Sequence, residues 1–197
     1  MRHSARFWGL GAVVALAAAL MLLTTFASAA SSRGAAHVRW DIISTTGIPP
    51  APLNPGGHAS AMAPDGDTIT LTGSGHFVAP ASGGGSGAAD GGGTWTTSSG
   101  SGTYQVTALV SWERANDQAN VGFVDNIGEG TRTNGTAVLT IAFSDGSSGT
   151  LTVGCHGPGA PPGIFEGIAT TKAFKTYYTV PAPAPGVDAG RTIFHVR

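Results

Sequence analysis

The chain has 197 residues, a formal net charge of −1, only 11% charged residues and one cysteine. The near-neutral balance excludes the basic face that nucleic acid requires and the polybasic patch that docks on anionic lipid, and a lone thiol excludes an internal disulfide framework. Gly contributes 31 residues and Pro 12, together below the roughly 25–30% of low-complexity chains, so the composition reads as a folded, loop-rich domain.

The first segment reads as an export signal. Arg2 and Arg6 stand before an uncharged apolar stretch, Phe7 to Phe26, and Ala27-Ser28-Ala29 follows as an A-x-A cleavage pattern. The expectation is a signal peptide over 1–29, cut near Ala29/Ala30, and a secreted or extracellular domain over 30–197. An uncleaved signal would be the chain's only membrane contact. The signal holds two of the ten basic residues and none of the eleven acids, so the mature domain carries a net charge of −3.

The apolar pattern that follows has period two. His37–Ser44 alternates, with Val38, Trp40 and Ile42 on one face. Thr68–Val78 places Ile69, Leu71, Gly73, Gly75 and Phe77 together, and glycines on such a face mark a bend or a close backbone approach. Ser82–Gly93, SGGGSGAADGGG, reads as a flexible Gly-rich loop. No Gly-Lys-Ser/Thr follows it, so it is no phosphate cradle.

Further on, Thr103–Glu113 aligns Tyr104, Val106, Ala108, Val110 and Trp112. Thr136–Phe143 aligns Ala137, Leu139, Ile141 and Phe143, and Thr150–His156 aligns Leu151, Val153 and Cys155. Asp145-Gly146-Ser147-Ser148-Gly149 joins the last two as a hairpin. Weaker strands are expected over His58–Ala63, Gly93–Thr97, Ile164–Thr171 and Arg191–Val196. Thr170–Tyr178 alone is compatible with a helical turn or two, and Val180–Gly186 reads as a stiff, proline-spaced crossing. The sum is an all-β domain, an antiparallel β-sandwich or small β-barrel of about 8–9 strands.

The chemistry-bearing residues form no strong motif. Glu113 and Glu166 are the best-placed acids for a hydrolase pair, which needs two carboxyls about 5–10 Å apart. His76 and His156 fall on polar strand faces and are the weak metal candidates, without HxH or HExxH spacing. Asp65, Asp67, Asp125 and Glu129 lack EF-hand spacing. Cys155 shares the apolar face of its strand while His156 points the other way, which disfavours a nucleophile–base pair. No G-x-S-x-G elbow is present. Trp95, beside the Gly-rich loop, is the first candidate for stacking a ligand, with Tyr177 and Tyr178 after it. Asn134-Gly135-Thr136 fits a glycosylation sequon, but Asn-Gly is also a turn signal and is read as a turn.

The Gly-rich loop and the segment ITLTGSGHF resemble small secreted β proteins of bacteria, a resemblance that carries no functional residue across. The leading expectation is a non-catalytic exported domain that binds a ligand, with a carbohydrate or cell-envelope component as the candidate partner, and no cofactor. An extracellular hydrolase using carboxylates or a His cluster is the alternative, and a β-barrel around a small apolar ligand is the third.

Overall fold

The computed structural model describes residues 34–45, 50–179 and 190–197. Gly34–Arg197 forms one compact unit. The described residues are all-β, with thirteen strands: β1 (Ala36–Ser44), β2 (Pro52–Pro55), β3 (Ala59–Met62), β4 (Thr68–Leu71), β5 (Ser74–Ala79), β6 (Ala89–Thr97), β7 (Gly100–Asp117), β8 (Val124–Asp125), β9 (Thr131–Phe143), β10 (Ser148–Cys155), β11 (Gly167–Lys172), β12 (Lys175–Thr179) and β13 (Arg191–Val196). The predicted signal over 1–29 and the crossing predicted over Val180–Gly186 lie outside the described residues; β12 ends before that crossing and β13 begins after it.

The hydrogen-bonded path returns on itself. From β9 it runs through β10, β11, β12, β3, β4, β6 and β7 back to β9. A second circuit uses the same β6–β7–β9 wall and closes through β13, β1 and β5. All these pairings are antiparallel, and only the short β2–β8 pair is parallel. Such closure satisfies strand edges without an external partner. The long β7 and β9 carry it, because β9 offers its Thr131–Thr133 end to β13 and the rest to β10.

The strand count exceeds the expected 8–9 for three physical reasons. First, the predicted Thr68–Val78 strand is two, β4 and β5, broken at Gly73. Its faces are as predicted, with Ile69, Leu71 and Phe77 buried. A Cβ on Gly75 would stand 2.8 Å from the Gly91 Cα, and one on Gly73 would collide with the Tyr104 hydroxyl. Secondly, β2 and β8 have four and two residues, too few to show alternation. Thirdly, Thr170–Tyr178 is no helical turn but the β11–β12 hairpin, in which Ala173 has φ 52°. The end of the Gly-rich segment is also ordered into the sheet: Ala89–Gly93 opens β6, and Ser86 bridges to Leu109.

Two other sequence readings shift. The Tyr104–Trp112 alternation slips at irregularities between Val106 and Ala108 and between Leu109 and Ser111. Leu109 is therefore buried and Val110 exposed, because one inserted residue moves later side chains to the other face. Asn134 is not in a turn but fully buried within β9. Its amide donates to Asn116 at 3.1 Å and its carbonyl accepts from the Gly157 N–H at 2.8 Å.

The core is one cluster inside the closed path, built on Trp40, Phe77, Tyr104, Leu139, Ile141, Leu151 and Phe194. Trp112 meets Phe194 edge-on with ring centroids 4.5 Å apart, an arrangement worth about 0.5–1.5 kcal/mol beyond area burial. Side chains fill this interior. A second, smaller apolar cluster lies on the opposite face of β1 and β13 and positions the site described next. Ile43, Leu53 and Ile193 form it, with Phe123 and Ile127 packed against them.

Candidate functional site

Strands β1 and β13 are buried on both faces. Their inward residues, among them Trp40, Ile42 and Phe194, join the core. Their outward residues pair in three rows: Arg39 with His195, Asp41 with Ile193, and Ile43 with Arg191. The segment 118–130 crosses this outer face as a strap. At one end the cover is polar. His195, fully buried, places Nε2 2.8 Å from Oδ2 of Asp125. Arg39 donates to both oxygens of Asp41, at 2.8 and 2.9 Å, and also to Glu129. Glu129 also accepts from Arg197 at 2.9 Å. Burial works to raise the Glu129 carboxyl, but Arg39 and its other donors outweigh it and hold it below its ordinary value.

At the other end the strap parts from the sheet and leaves a cleft of about 520 Å³, within the roughly 300–1,000 Å³ of small-molecule sites. Ile43, Leu53, Phe123 and Ile193 give it an apolar lining, and Gln118, His156, Glu166 and Arg191 are its polar members. Thr45 also borders it, with a buried hydroxyl that has no hydrogen-bond partner among the described residues.

Glu166 is occupied within its own wall. One oxygen accepts the His156 backbone N–H at 2.5 Å, the other the Thr192 backbone N–H at 2.8 Å. Burial raises its pKa, and the two amides pull in the opposite direction. The His156 ring sets Nδ1 2.8 Å from the Ile164 carbonyl oxygen. That carbonyl accepts only, so in the neutral ring Nδ1 carries the proton and Nε2 is the acceptor. Beneath the cleft, Gln118 donates to Cys155 Sγ at 3.2 Å. Burial pushes the Cys155 thiol far above the usual range, so it is a packed sulfur and no nucleophile at neutral pH.

The sequence candidates therefore divide. Glu166 and His156 meet at the cleft. Glu113 is exposed on β7 and is not among the cleft-lining residues. His76 stands apart from His156, 3.4 Å from Asp90 and 3.6 Å from Glu129. Among the described residues no group of three or more His, Cys, Asp or Glu side chains is placed to hold a metal ion. Trp95 is buried, edge-on to Phe143 at 6.0 Å, and the Lys172 ammonium lies 4.2 Å from its ring centroid. Tyr177 is buried and donates to Asp67 at 3.0 Å, whereas Tyr178 is 58% exposed beside Met62.

Arg191, Gln118, Phe123 and Thr45 are the site residues that sequence reasoning missed. A signal for the covered outer face was present: Asp41-Ile42-Ile43 and Ile193-Phe194-His195-Val196 interrupt alternation, as strands buried on both faces do. Comparison with protein-family models, curated proteins and solved structures found no match.

Proposed function

We propose that the chain is an exported, non-catalytic binding domain, with residues 1–29 as a removed signal and the strap-side cleft as its ligand site. One observation carries the reading. The cleft joins an apolar lining to polar groups whose acid, Glu166, and imidazole, His156, are engaged with the protein's own backbone. Both Glu166 oxygens hold amides, and His156 Nδ1 faces a carbonyl. A hydrolase needs a carboxyl that meets substrate and a partner acid or base across it; Glu113 does not line this cleft. A concave apolar surface with a few convergent polar groups is sufficient for binding. The packed interior disfavours a ligand held inside the closed strand path.

Three measurements test the proposal together. In a thermal-shift screen against envelope glycans and small amphipathic compounds, ligands that raise the melting temperature should lose their effect when Phe123 and Ile193 are replaced by alanine. Chromogenic glycosides and esters should show no turnover. Turnover abolished in Glu166→Gln overturns the non-catalytic reading. N-terminal sequencing of protein recovered from the medium should begin at Ala30, and a Met1 start would refute removal of the signal.

A further inference from the structure

We propose that the cleft takes a small amphipathic carboxylate, whose head group pairs with Arg191 and whose apolar body lies over Ile43, Phe123 and Ile193. This inference rests on the binding reading above and names its ligand class.

Arg191 is the β13 partner of Ile43 on the outer face, and Ile193, two residues on, projects from the same side. A cation at the cleft's rim therefore stands directly against its apolar lining. The strap covers the other end of the face with its own carboxylates: Asp125 meets His195, and Glu129 meets Arg39 and Arg197. At the Arg191 end no strap carboxylate does so. Arg191 makes no side-chain hydrogen bond or ion pair among the described residues, although it lines the cleft.

Glu166 feels the Arg191 charge but does not accept a hydrogen bond from it among the described residues. Glu166 lines the same cleft, but each of its oxygens is engaged by a backbone N–H. The guanidinium presents five donors in a planar fork, whose geometry matches a carboxylate in two parallel hydrogen bonds. Thr45 adds a second polar group at this end. It lies two residues beyond Ile43, and its buried hydroxyl is without a partner among the described residues. The remaining lining, Leu53 and Phe123, suits a short alkyl or aryl body. The cleft's volume of about 520 Å³ accommodates such a molecule.

The test uses three probes that share one alkyl chain: octanoate, octanol and octylamine, each titrated below its aggregation limit and followed by methyl NMR of Ile43 and Ile193. Octanoate should shift both resonances and bind about tenfold or more tightly than octylamine, the scale of one charge-assisted pair. Arg191→Gln should weaken octanoate about tenfold and leave octanol nearly unchanged. Because Arg191 is exposed, this variant should retain the parent's methyl spectrum, which checks its fold. Octylamine binding as tightly as octanoate, or octanoate indifferent to Arg191→Gln, overturns the anionic class. If octanol alone binds, the carboxylate inference fails and the binding domain stands. If no probe moves either resonance, the carboxylate inference fails; glycan binding in the thermal-shift screen then decides the broader reading separately.

Discussion

The Nε2 atom of the fully buried His195 lies 2.8 Å from Oδ2 of Asp125. This contact fastens the strap to the last strand, and Asp125 also accepts the backbone N–H groups of Ile127 and Gly128 at 3.0 and 3.1 Å. Asp125→Ala removes all three acceptances and leaves a buried imidazole unpaired. Breaking such a buried polar contact costs about 1–3 kcal/mol. The urea midpoint should fall accordingly, and hydrogen exchange should accelerate in 118–130 more than in β7 or β9. Uniform acceleration would contradict a local fastening role.

Glu166→Ala should destabilise the domain because the His156 and Thr192 amides lose their acceptor together. The loss should be about 1–3 kcal/mol, most of it from the Thr192 amide, because Thr192 is buried whereas His156 is exposed. Glu166→Gln keeps one carbonyl oxygen but turns an NH2 towards the other amide, so it should fall between the two. Equal stability of all three proteins would show that the amides find other partners.

The β4–β5 break makes a steric prediction. A methyl group on Gly75 would press on the Asp90 carbonyl oxygen and the Gly91 Cα, and it would come within 2.9 Å of Trp40 Nε1. Overpacking of this kind costs about 1–3 kcal/mol or more, because backbone rather than a flexible side-chain end must give way. Gly75→Ala should lower the melting temperature markedly. By contrast, Ala173→Gly relieves a left-handed residue in the β11–β12 turn and should raise stability by up to about 1 kcal/mol. Urea unfolding of both variants checks the opposite signs.

Acid sensitivity follows from the surface carboxylates. Hydrogen bonds from Lys172 and Ser147 hold Asp145 down at about 2, against an ordinary 3.8. Ser98 and Lys175 hold Asp67 well below its ordinary value too. A folded pKa below the unfolded one adds stability above the unfolded value, and that addition is lost as pH falls through the folded value. Glu166 has the opposite sign: its raised pKa favours the protonated fold, a contribution complete below about 4.5 and lost as pH rises through the folded value. In Asp145→Asn the fall in urea midpoint between about pH 5 and pH 2 should be shallower than in the parent. An unchanged slope would count against the Lys172 pairing.

The faces of the main strands were legible because period two is local. Leu139, Ile141 and Phe143 are buried as their alternation implies. What alternation cannot carry is an inserted residue or a long-range partner. The slip near Thr107 buries Leu109 in place of Val110, and nothing in the adjacent residues announces it. The cleft was legible only in fragments. Glu166 and His156 stood out as chemical types, but Ile43 meets Arg191 through a pairing of the first and last described strands. Phe123 reaches them from a strap with almost no regular structure of its own. Such a site exists only after closure, so its composition is spread over segments that share no local pattern.

The pairing of β1 with β13 also bears on how the molecule comes into being. β1 is bounded by β5 on one side and by β13 on the other. During synthesis the first partner is present early, whereas the second requires residues 191–196. Until those residues appear, Trp40 and Trp112 lack Phe194, and the smaller circuit has an open edge. Non-local pairing of this kind folds slowly, on a scale of milliseconds to seconds. A chain short of β13 can still close the larger circuit, but it leaves β1 and the Thr131–Thr133 end of β9 as facing unpaired edges, the kind of edge that invites pairing with another chain.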